Sequence, residues 1–189
     1  ALVALGHEPW TRAQSEARVR KSLREAYLDL FGERWEEARD VYYAHFRANH
    51  LQELAVLAGR ADMLGVLADA GIYMGIVSNK DGALLREEVA YLGWGQFFGA
   101  IVGANDTVRA KPAPEPLHLS LEPGSITAGR EVWFVGDTDI DMECAIAGGV
   151  VPVLLREKPP ETGEFDEFSP ELRFTNGENF CAFLELAGN

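Results

Sequence analysis

With 189 residues, the chain is about one domain long by the usual relation between length and domain number. Its 47% hydrophobic and 25% charged residues are typical of a folded soluble protein and exclude a largely disordered one. The formal net charge of −13 argues against nucleic acid or an anionic membrane as a partner, so any phosphate-binding site must be built locally.

Cysteine usage and hydropathy indicate the compartment. Cys144 and Cys181 lack metal-binding spacing and suggest no disulfide framework, which favours a reduced setting over a secreted one. No apolar run approaches the ~20 residues that cross a bilayer, and no signal peptide is visible. We therefore expect a cytoplasmic protein without a membrane partner.

The first part of the chain is predicted to be helical. Thr11 and Gln14 have the spacing of a capping box, and the helical pattern that follows them ends at Gly32. A second helical run begins at Trp35 and contains neither glycine nor proline. No strand is predicted before about residue 72.

From residue 61 onward, helices alternate with short apolar strands. The predicted helices are 61–71, 81–93, 114–121, 139–149 and 178–188, and the predicted strands are 72–78, 100–104, 132–135, 150–155 and 173–176. A polar loop rich in proline and glutamate is expected from about 156 to 172. This alternation predicts an α/β fold with a parallel sheet covered by helices on both faces.

Polar residues stand where ligands of such sheets bind, at the carboxyl ends of the strands. Ser78 ends one strand, Lys111 lies in the loop after the next, and Asp137 follows the third. Ser78 and Asn79, just before a predicted helix, suit an anion cradle, although an ordinary turn or N-cap explains them as well. Lys111 lies among prolines that stiffen its loop, and its ammonium suits a phosphate or carboxylate; a solvated loop lysine is the alternative.

The stretch VWFVGDTDIDMECA (132–145) carries the most specific signal. Asp137, Asp139 and Asp141 crowd the end of a buried-looking strand, and like charges this close raise one another's pKa unless a positive group lies among them. A hard cation such as Mg²⁺ resolves this crowding. Asp139 is interpreted as an acidic residue that favours a helix N-terminus.

Three motifs in order resemble those of the haloacid dehalogenase superfamily. VSNK (77–80), AKP (110–112) and VGDTDID (135–141) are similar to its motifs II, III and IV. The preceding helices resemble the helical cap of its phosphoglycolate phosphatase-like and β-phosphoglucomutase-like members. The resemblance implies a Rossmann-like three-layer core with a parallel sheet over residues 58–189 and an α-helical cap domain over residues 1–57.

The resemblance also implies a role for each matching residue. Ser78 would hydrogen-bond the transferring phosphoryl group with help from the Asn79 backbone, and Lys111 would steady that group and the nucleophile. Asp137 would be a Mg²⁺ ligand, and Asp141 would support the metal shell or Lys111. Arg24 resembles a cap arginine that binds a second anionic group of the substrate; a solvated helix face is the alternative.

The chain departs from the family pattern at motif I. The family's D-x-D signature, whose first aspartate is the nucleophile, is absent from its expected place, and neither SNKDG (78–82) nor GDTD (136–139) can replace it. We expect that strand, central in the family's sheet, upstream of residue 1, and we expect residues 1–189 alone to be inactive.

Three hypotheses follow. The favoured one is a Mg²⁺-dependent phosphomonoester hydrolase that acts on a small phosphorylated metabolite through an aspartyl-phosphate. A non-catalytic phosphate-binding protein is the second. A phosphomutase or dehalogenase of the same superfamily is the third, and the pair Asp137 and Asp141 weakens the dehalogenase case because that chemistry needs no cation.

Overall fold

The computed structural model describes residues 2–11, 14 and 23–187, and the side chains of residues 23–26 and 185–187 lie outside the description. The chain divides into two compact units, Ala1–Leu54 and Ala55–Asn189. The cap and core boundaries given above remain a prediction. Among the described residues, no helix has both the length and the apolarity that crossing a membrane requires.

The order of elements follows the predicted alternation. The α-helices are α1 (Leu23–Phe31), α2 (Trp35–Asn49), α3 (Arg60–Asp69), α4 (Gly82–Tyr91), α5 (Glu115–Leu121), α6 (Asp139–Ala147) and α7 (Gly177–Ala187). The strands are β1 (Gly75–Val77), β2 (Ala100–Val102), β3 (Trp133–Gly136), β4 (Val151–Leu155) and β5 (Leu172–Phe174). Between β4 and β5 the chain forms the predicted irregular loop.

The first unit is built on helices α1 and α2. The predicted capping box is present, because the Thr11 amide donates to Gln14 Oε1 at 3.0 Å and the Gln14 amide donates to Thr11 Oγ1 at 3.3 Å. Residues 15–22 lie outside the description. Helix α1 ends before Gly32, whose φ of 55° is readily adopted only by glycine. Burial and the neighbouring tyrosines raise the pKa of Tyr27 to about 12.

The second unit contains two pieces of parallel sheet. Strand β1 pairs with β2 in the register Ile76 to Ile101, and β3, β4 and β5 form a three-stranded sheet in that order. Strand β4 has a neighbour on each side and is buried along its whole length. The inner strands are short and apolar, as parallel sheets covered on both faces require.

Helices cover this sheet on both faces. Val151, Val153 and Leu155 of β4 pack with Leu67 of α3 and Phe180 of α7 in one buried cluster. A second cluster joins the helices on the other side, and it comprises Leu117, Leu121, Cys144, Ala145 and Val150, with Phe134 of β3 packed against it. This is the layered α/β arrangement that the sequence predicted.

The two sheet pieces face each other across an apolar cleft. Strands β1 and β3 line its walls, and the cavity has a volume of about 640 Å³. Among the described residues, each of these strands forms a ladder on its other side only, β1 with β2 and β3 with β4. The cleft therefore separates two strand edges that have no ladder partner in the described part of the chain.

Candidate active site

The carboxyl ends of β1 and β3 meet at Lys111. The Asn79 side-chain amide, just after β1, donates to the Lys111 carbonyl at 2.9 Å. Lys111 Nζ donates to Asp141 Oδ1 at 2.6 Å, in the helix that follows β3. The structure thus brings Asn79 and Asp141, which are far apart in the sequence, to the same place.

The ion pair between Lys111 and Asp141 is buried. Their side chains are 12% and 7% exposed. The Lys111 ammonium also lies 5.6 Å from the centre of the Phe134 ring, a distance suited to a cation–π contact. The positive group that the crowded aspartates require is therefore supplied in part by the chain itself.

Asp141 fixes the turn between β3 and α6. Its Oδ2 accepts hydrogen bonds from the amides of Asp137 and Thr138, both at 3.1 Å, and from Thr138 Oγ1 at 2.8 Å. Burial opposes its ionisation, but Lys111 and these donors hold the pKa of Asp141 below its ordinary value. Gly136 allows the close approach, because a Cβ there would lie 2.2 Å from the Cβ of Asp141.

Asp137 has the opposite electrostatic situation. It is exposed at the end of β3, and no salt bridge to it occurs in the described part of the chain. Desolvation of its carboxyl group by the surrounding protein atoms raises the pKa of Asp137, and the negative charge of Asp141 raises this pKa further. The positive charge of Lys111 offsets only part of the increase. The negative charge of the Asp137 carboxylate is therefore only partly compensated by Lys111 and Arg156.

Ser78 and Asn79 have groups that can donate hydrogen bonds to an anion, whereas the first amides of the following helix are already bonded. Among the described residues, the backbone amide of Asn79 has no hydrogen-bond acceptor. The Ser78 hydroxyl oxygen accepts a hydrogen bond from the Lys80 amide at 3.2 Å, and its own proton has no acceptor in the same part of the chain. The first amides of α4 are already capped: Asn105 Oδ1 accepts from Gly82, and Asp81 Oδ1 accepts from the next two residues. These side chains therefore occupy the first helix amides, and the predicted anion cradle is limited to Ser78 and Asn79.

Arg156 is a residue that the sequence reasoning missed. It follows β4, and its guanidinium donates to the Asp137 carbonyl at 3.0 Å. The same guanidinium makes a bidentate ion pair with Glu164, at 2.8 and 2.6 Å, and the Glu164 side chain is only 3% exposed. The rule that found Ser78 and Asp137, a polar residue at the carboxyl end of an apolar strand, also fits Arg156.

Sequence comparison decides the family. A family model described as haloacid dehalogenase-like hydrolase matches residues 1–154. The chain belongs to this family. The resemblance seen in the three motifs is thereby confirmed.

Members of several bacterial species are similar to this chain. The phosphoglycolate phosphatase of Pectobacterium atrosepticum is 29% identical over 140 residues, which cover 74% of this chain and 59% of that protein. The phosphoglycolate phosphatase of Rhodospirillum rubrum is 30% identical over 136 residues, which cover 68% of this chain and 56% of that protein. The chain thus spans less than two thirds of the length of these relatives.

Solved structures confirm the haloacid dehalogenase-like fold. A hydrolase of this family from Streptococcus pneumoniae superimposes with a TM-score of 0.84 at 18% identity, covering 97% of this chain and 86% of that one. A family hydrolase from Ehrlichia chaffeensis, 27% identical, gives a TM-score of 0.63 and covers 100% of this chain and 85% of that one.

The carboxylate oxygens of Asp137 and Asp139 are suited to Mg²⁺. Asp137 offers a carboxylate whose charge is only partly compensated, and Asp139, in the first turn of α6, has a buried Oδ1 that finds no hydrogen-bond partner among the described residues. No group of three or more potential metal-binding side chains occurs among the described residues. This donor set suits Mg²⁺, which binds one or two carboxylates and keeps its other positions for water and phosphate oxygens.

Arg24 lies in α1, but its side chain is outside the described residues. Its role toward a second anionic group therefore stays a prediction.

Proposed function

We propose that the complete protein is a Mg²⁺-dependent phosphomonoester hydrolase that acts on a small phosphorylated metabolite. The observation that carries this proposal is the convergence of Ser78, Asn79, Lys111 and Asp137 at one sheet edge. Hydroxyl, amide and ammonium donors suit the oxygens of a phosphoryl group, and a carboxylate beside them whose charge is only partly compensated suits its metal counter-ion.

In this proposal each residue stabilises charge on the transferring group. Ser78 Oγ and the Asn79 amide donate hydrogen bonds to phosphoryl oxygens, and the Lys111 ammonium compensates their negative charge. Asp141 acts through Lys111, because their buried ion pair holds the ammonium in place. Donors fixed before the reaction need no reorganisation in the transition state.

Asp137 would hold Mg²⁺, with Asp139 as a neighbouring carboxylate. The ion would neutralise the charge of the phosphoryl oxygens and draw electron density from phosphorus. Arg156 binds the Asp137 carbonyl and thereby fixes the main chain from which this carboxylate extends.

The nucleophile is proposed to be an aspartate on a strand upstream of residue 1, as the family resemblance implies. Its carboxylate oxygen attacks phosphorus, the ester P–O bond breaks, and the leaving alkoxide takes a proton from the second aspartate of the D-x-D signature, which the resemblance implies to be the general acid. Water then hydrolyses the aspartyl-phosphate. Residues 1–189 supply the binding and electrostatic parts of this reaction, and we expect no turnover from them alone.

Phosphoglycolate is the first substrate to test, because two similar bacterial proteins carry the name phosphoglycolate phosphatase. The test measures phosphate release by the natural full-length protein from phosphoglycolate, a hexose phosphate and a nucleoside monophosphate, with Mg²⁺ or with EDTA. We expect release only with Mg²⁺. Equal release in EDTA contradicts the metal assignment, and tight phosphate-ester binding without release supports the non-catalytic alternative.

A further inference from the structure

We propose that the ion pair between Lys80 and Glu88 positions the anion donors of Ser78 and Asn79. Lys80 is the last residue of the VSNK motif and directly follows these two donors. Neither member of the pair touches the substrate, so both are positioning residues. The inference rests on the proposed function, because it concerns the donors that bind the phosphoryl group there.

Glu88 is a charged residue on the buried face of α4. It is 6% exposed, and the buried side chains of Leu84, Leu85 and Val89 lie within about one turn of it on the same helix. Lys80 Nζ donates a hydrogen bond to Glu88 Oε2, and the two side chains are 34% and 8% exposed. Apolar residues of similar volume are often as stable as a buried ion pair. Stability alone therefore does not explain a glutamate at this position.

The direction of the Lys80 side chain separates its ammonium from the phosphate donors. Strands β1 and β2 are parallel neighbours joined by α4, so the three elements form a βαβ unit. The helix of such a unit runs back from the carboxyl ends of the strands. Glu88 lies about 9 Å along the axis of α4 from Gly82, the first residue of the helix. The pair thus draws the Lys80 ammonium away from the sheet edge that carries Ser78.

The main chain of Lys80 is hydrogen-bonded through both its amide and its carbonyl. The amide donates to Ser78 Oγ at 3.2 Å, and the carbonyl accepts from the Ala104 amide, after β2, at 2.8 Å. The Ser78 amide donates to the Val102 carbonyl of β2 at 2.9 Å. Together with the ion pair, these bonds attach Lys80 to the end of β2, to α4 and to the Ser78 hydroxyl.

Fixing Lys80 orients the donors of the turn that it closes. A serine hydroxyl that accepts from the amide two residues later forms a local turn, and its proton remains for another acceptor. In the proposed function that acceptor is a phosphoryl oxygen. Asn79 lies inside the same turn, and its side chain donates to the Lys111 carbonyl at 2.9 Å. Donors held in place before the reaction stabilise the transition state most strongly.

The first test separates positioning from stability in the natural full-length protein. Lys80→Met combined with Glu88→Leu removes both charges, and the melting temperature should stay close to that of the wild type, because apolar partners can replace a buried ion pair. The kcat for release of phosphate from p-nitrophenyl phosphate should nevertheless fall at least tenfold, since the turn loses its attachment to α4. A wild-type kcat in this double variant would overturn the proposal.

Single substitutions separate a positioning lysine from one that binds phosphate. Lys80→Met and Glu88→Gln break the same pair, so both should lower kcat by a similar factor, and the two effects should not multiply when combined. A phosphate-binding lysine would instead raise KM in Lys80→Met, whereas Glu88→Gln would release the ammonium and leave KM unchanged or lower. That second pattern would overturn the positioning role.

The matched control removes an exposed ion pair elsewhere in the same unit. Arg130→Met combined with Glu171→Leu deletes a pair whose side chains are 74% and 43% exposed. This control should leave kcat unchanged. A loss of kcat as large as that of the Lys80→Met and Glu88→Leu variant would overturn the assignment of a special role to the buried pair.

Hydrogen exchange separates failure of this inference from failure of the proposed function. The amides of Lys80 and Ala104 should exchange at least tenfold faster in the Lys80→Met and Glu88→Leu variant than in the wild type, whether or not the protein hydrolyses phosphate esters. Faster exchange in a protein without phosphatase activity supports the attachment and contradicts the proposed function. Unchanged exchange overturns the positioning role, and phosphate release by the wild type then leaves the proposed function standing.

Discussion

At the residue scale, Lys111 has two tasks that depend on its burial. Its ammonium compensates the negative charge of Asp141 inside the protein. In the proposed function it also compensates the negative charge of the phosphoryl group. A buried pair is costly to break, because the remaining charge has lost both water and its partner. Asp141 keeps its hydrogen bonds to Thr138 when Lys111 is replaced, but not its counter-ion.

Replacing Lys111 with methionine should therefore destabilise the protein by about 3 kcal/mol, the cost typical of breaking a buried ion pair. Urea denaturation followed by circular dichroism measures this change. Lys158→Met is the matched control, since its pair with Glu161 is 72% and 66% exposed and exposed pairs contribute about 0 to 1 kcal/mol. Equal free energies of unfolding for Lys111→Met and Lys158→Met would contradict this prediction.

Asp137 should make stability depend on pH and on Mg²⁺. Its folded-state pKa lies above its ordinary value, so the folded protein binds this proton more strongly than the unfolded protein. Without Mg²⁺, the free energy of unfolding should thus fall as pH rises through the interval between the two pKa values. Asp137→Asn removes this contribution.

Thermal melts across the acidic range, with and without Mg²⁺, measure this dependence. Mg²⁺ should raise the melting temperature of the wild type at neutral pH, and this effect should fade as acid protonates Asp137. Asp137→Asn should show little effect of Mg²⁺ at any pH. The same Mg²⁺-induced shift in both proteins would count against Asp137 as a ligand.

At the element scale, close backbone approach sets the position of the helix after β1. A Cβ on Gly103, after β2, would lie 2.3 Å from the Cα of Gly82 at the start of α4. Two backbones cannot move apart as a flexible side chain can. The start of α4 and the end of β2 are therefore held together by two glycines.

Gly103→Ala should cost about 1 to 3 kcal/mol, the usual range for overpacking. Gly95→Ala is its control, because a Cβ at Gly95 meets nothing within 4 Å and its φ is not positive. Chemical denaturation of both variants checks the difference. If Gly103→Ala is as stable as Gly95→Ala, the close approach does not constrain the fold.

The loop after β4 is organised by Arg156. Its Nε donates to the Lys158 carbonyl at 2.9 Å, and its guanidinium lies 5.4 Å from the Phe165 ring. Together with the bonds to Glu164 and Asp137, these contacts tie the acidic loop to the candidate metal site. Arginine is suited to this because its planar fork holds several acceptors at once.

Arg156→Lys keeps the charge but loses the bidentate contact, so the loop should open more often and Mg²⁺ should bind more weakly. Hydrogen exchange should become faster in residues 157–166, and the Mg²⁺ dissociation constant from calorimetry should rise about tenfold, as for other residues that orient metal ligands. Arg130→Lys is the control, because its pair with Glu171 is exposed. Unchanged exchange and affinity would remove the positioning role.

The sequence predicts elements better than it predicts their contacts. Apolar runs and glycine stops placed β2 and α4 within a few residues, since periodicity and chain reversal are local properties. The predicted strand 72–78 is shorter in the structure, Gly75–Val77, because the Ile72 amide instead bonds the Leu67 carbonyl at the end of α3. Such competition between neighbouring elements cannot be deduced from local sequence pattern.

In the candidate site, too, the sequence predicts the positions of residues better than their contacts. Strand ends identified Ser78 and Asp137, whereas the capping of α4 by Asn105 depends on a loop that returns from 23 positions away. Long-range side-chain partners depend on the packed fold, not on spacing. The bond from Arg156 to Asp137 was missed for that reason, although the position of Arg156 after a strand was visible.

At the scale of the whole molecule, the net negative charge restricts where an anionic substrate can bind. The chain carries a formal charge of −13, so an anionic substrate is attracted only where Lys111 and a bound cation reverse the local potential. Loading Mg²⁺ should therefore favour the binding of an anionic substrate at this site.

The role of Asp137 as a magnesium ligand is tested most directly by comparing phosphate release by the natural full-length protein with release by its Asp137→Asn variant at saturating Mg²⁺. We expect the substitution to lower kcat at least 100-fold, because charge stabilisation in the transition state is lost, while circular dichroism shows an intact fold. An unchanged kcat at saturating Mg²⁺ would show that Asp137 does not hold the ion, and the assignment of the site as a magnesium-dependent phosphatase centre would be wrong.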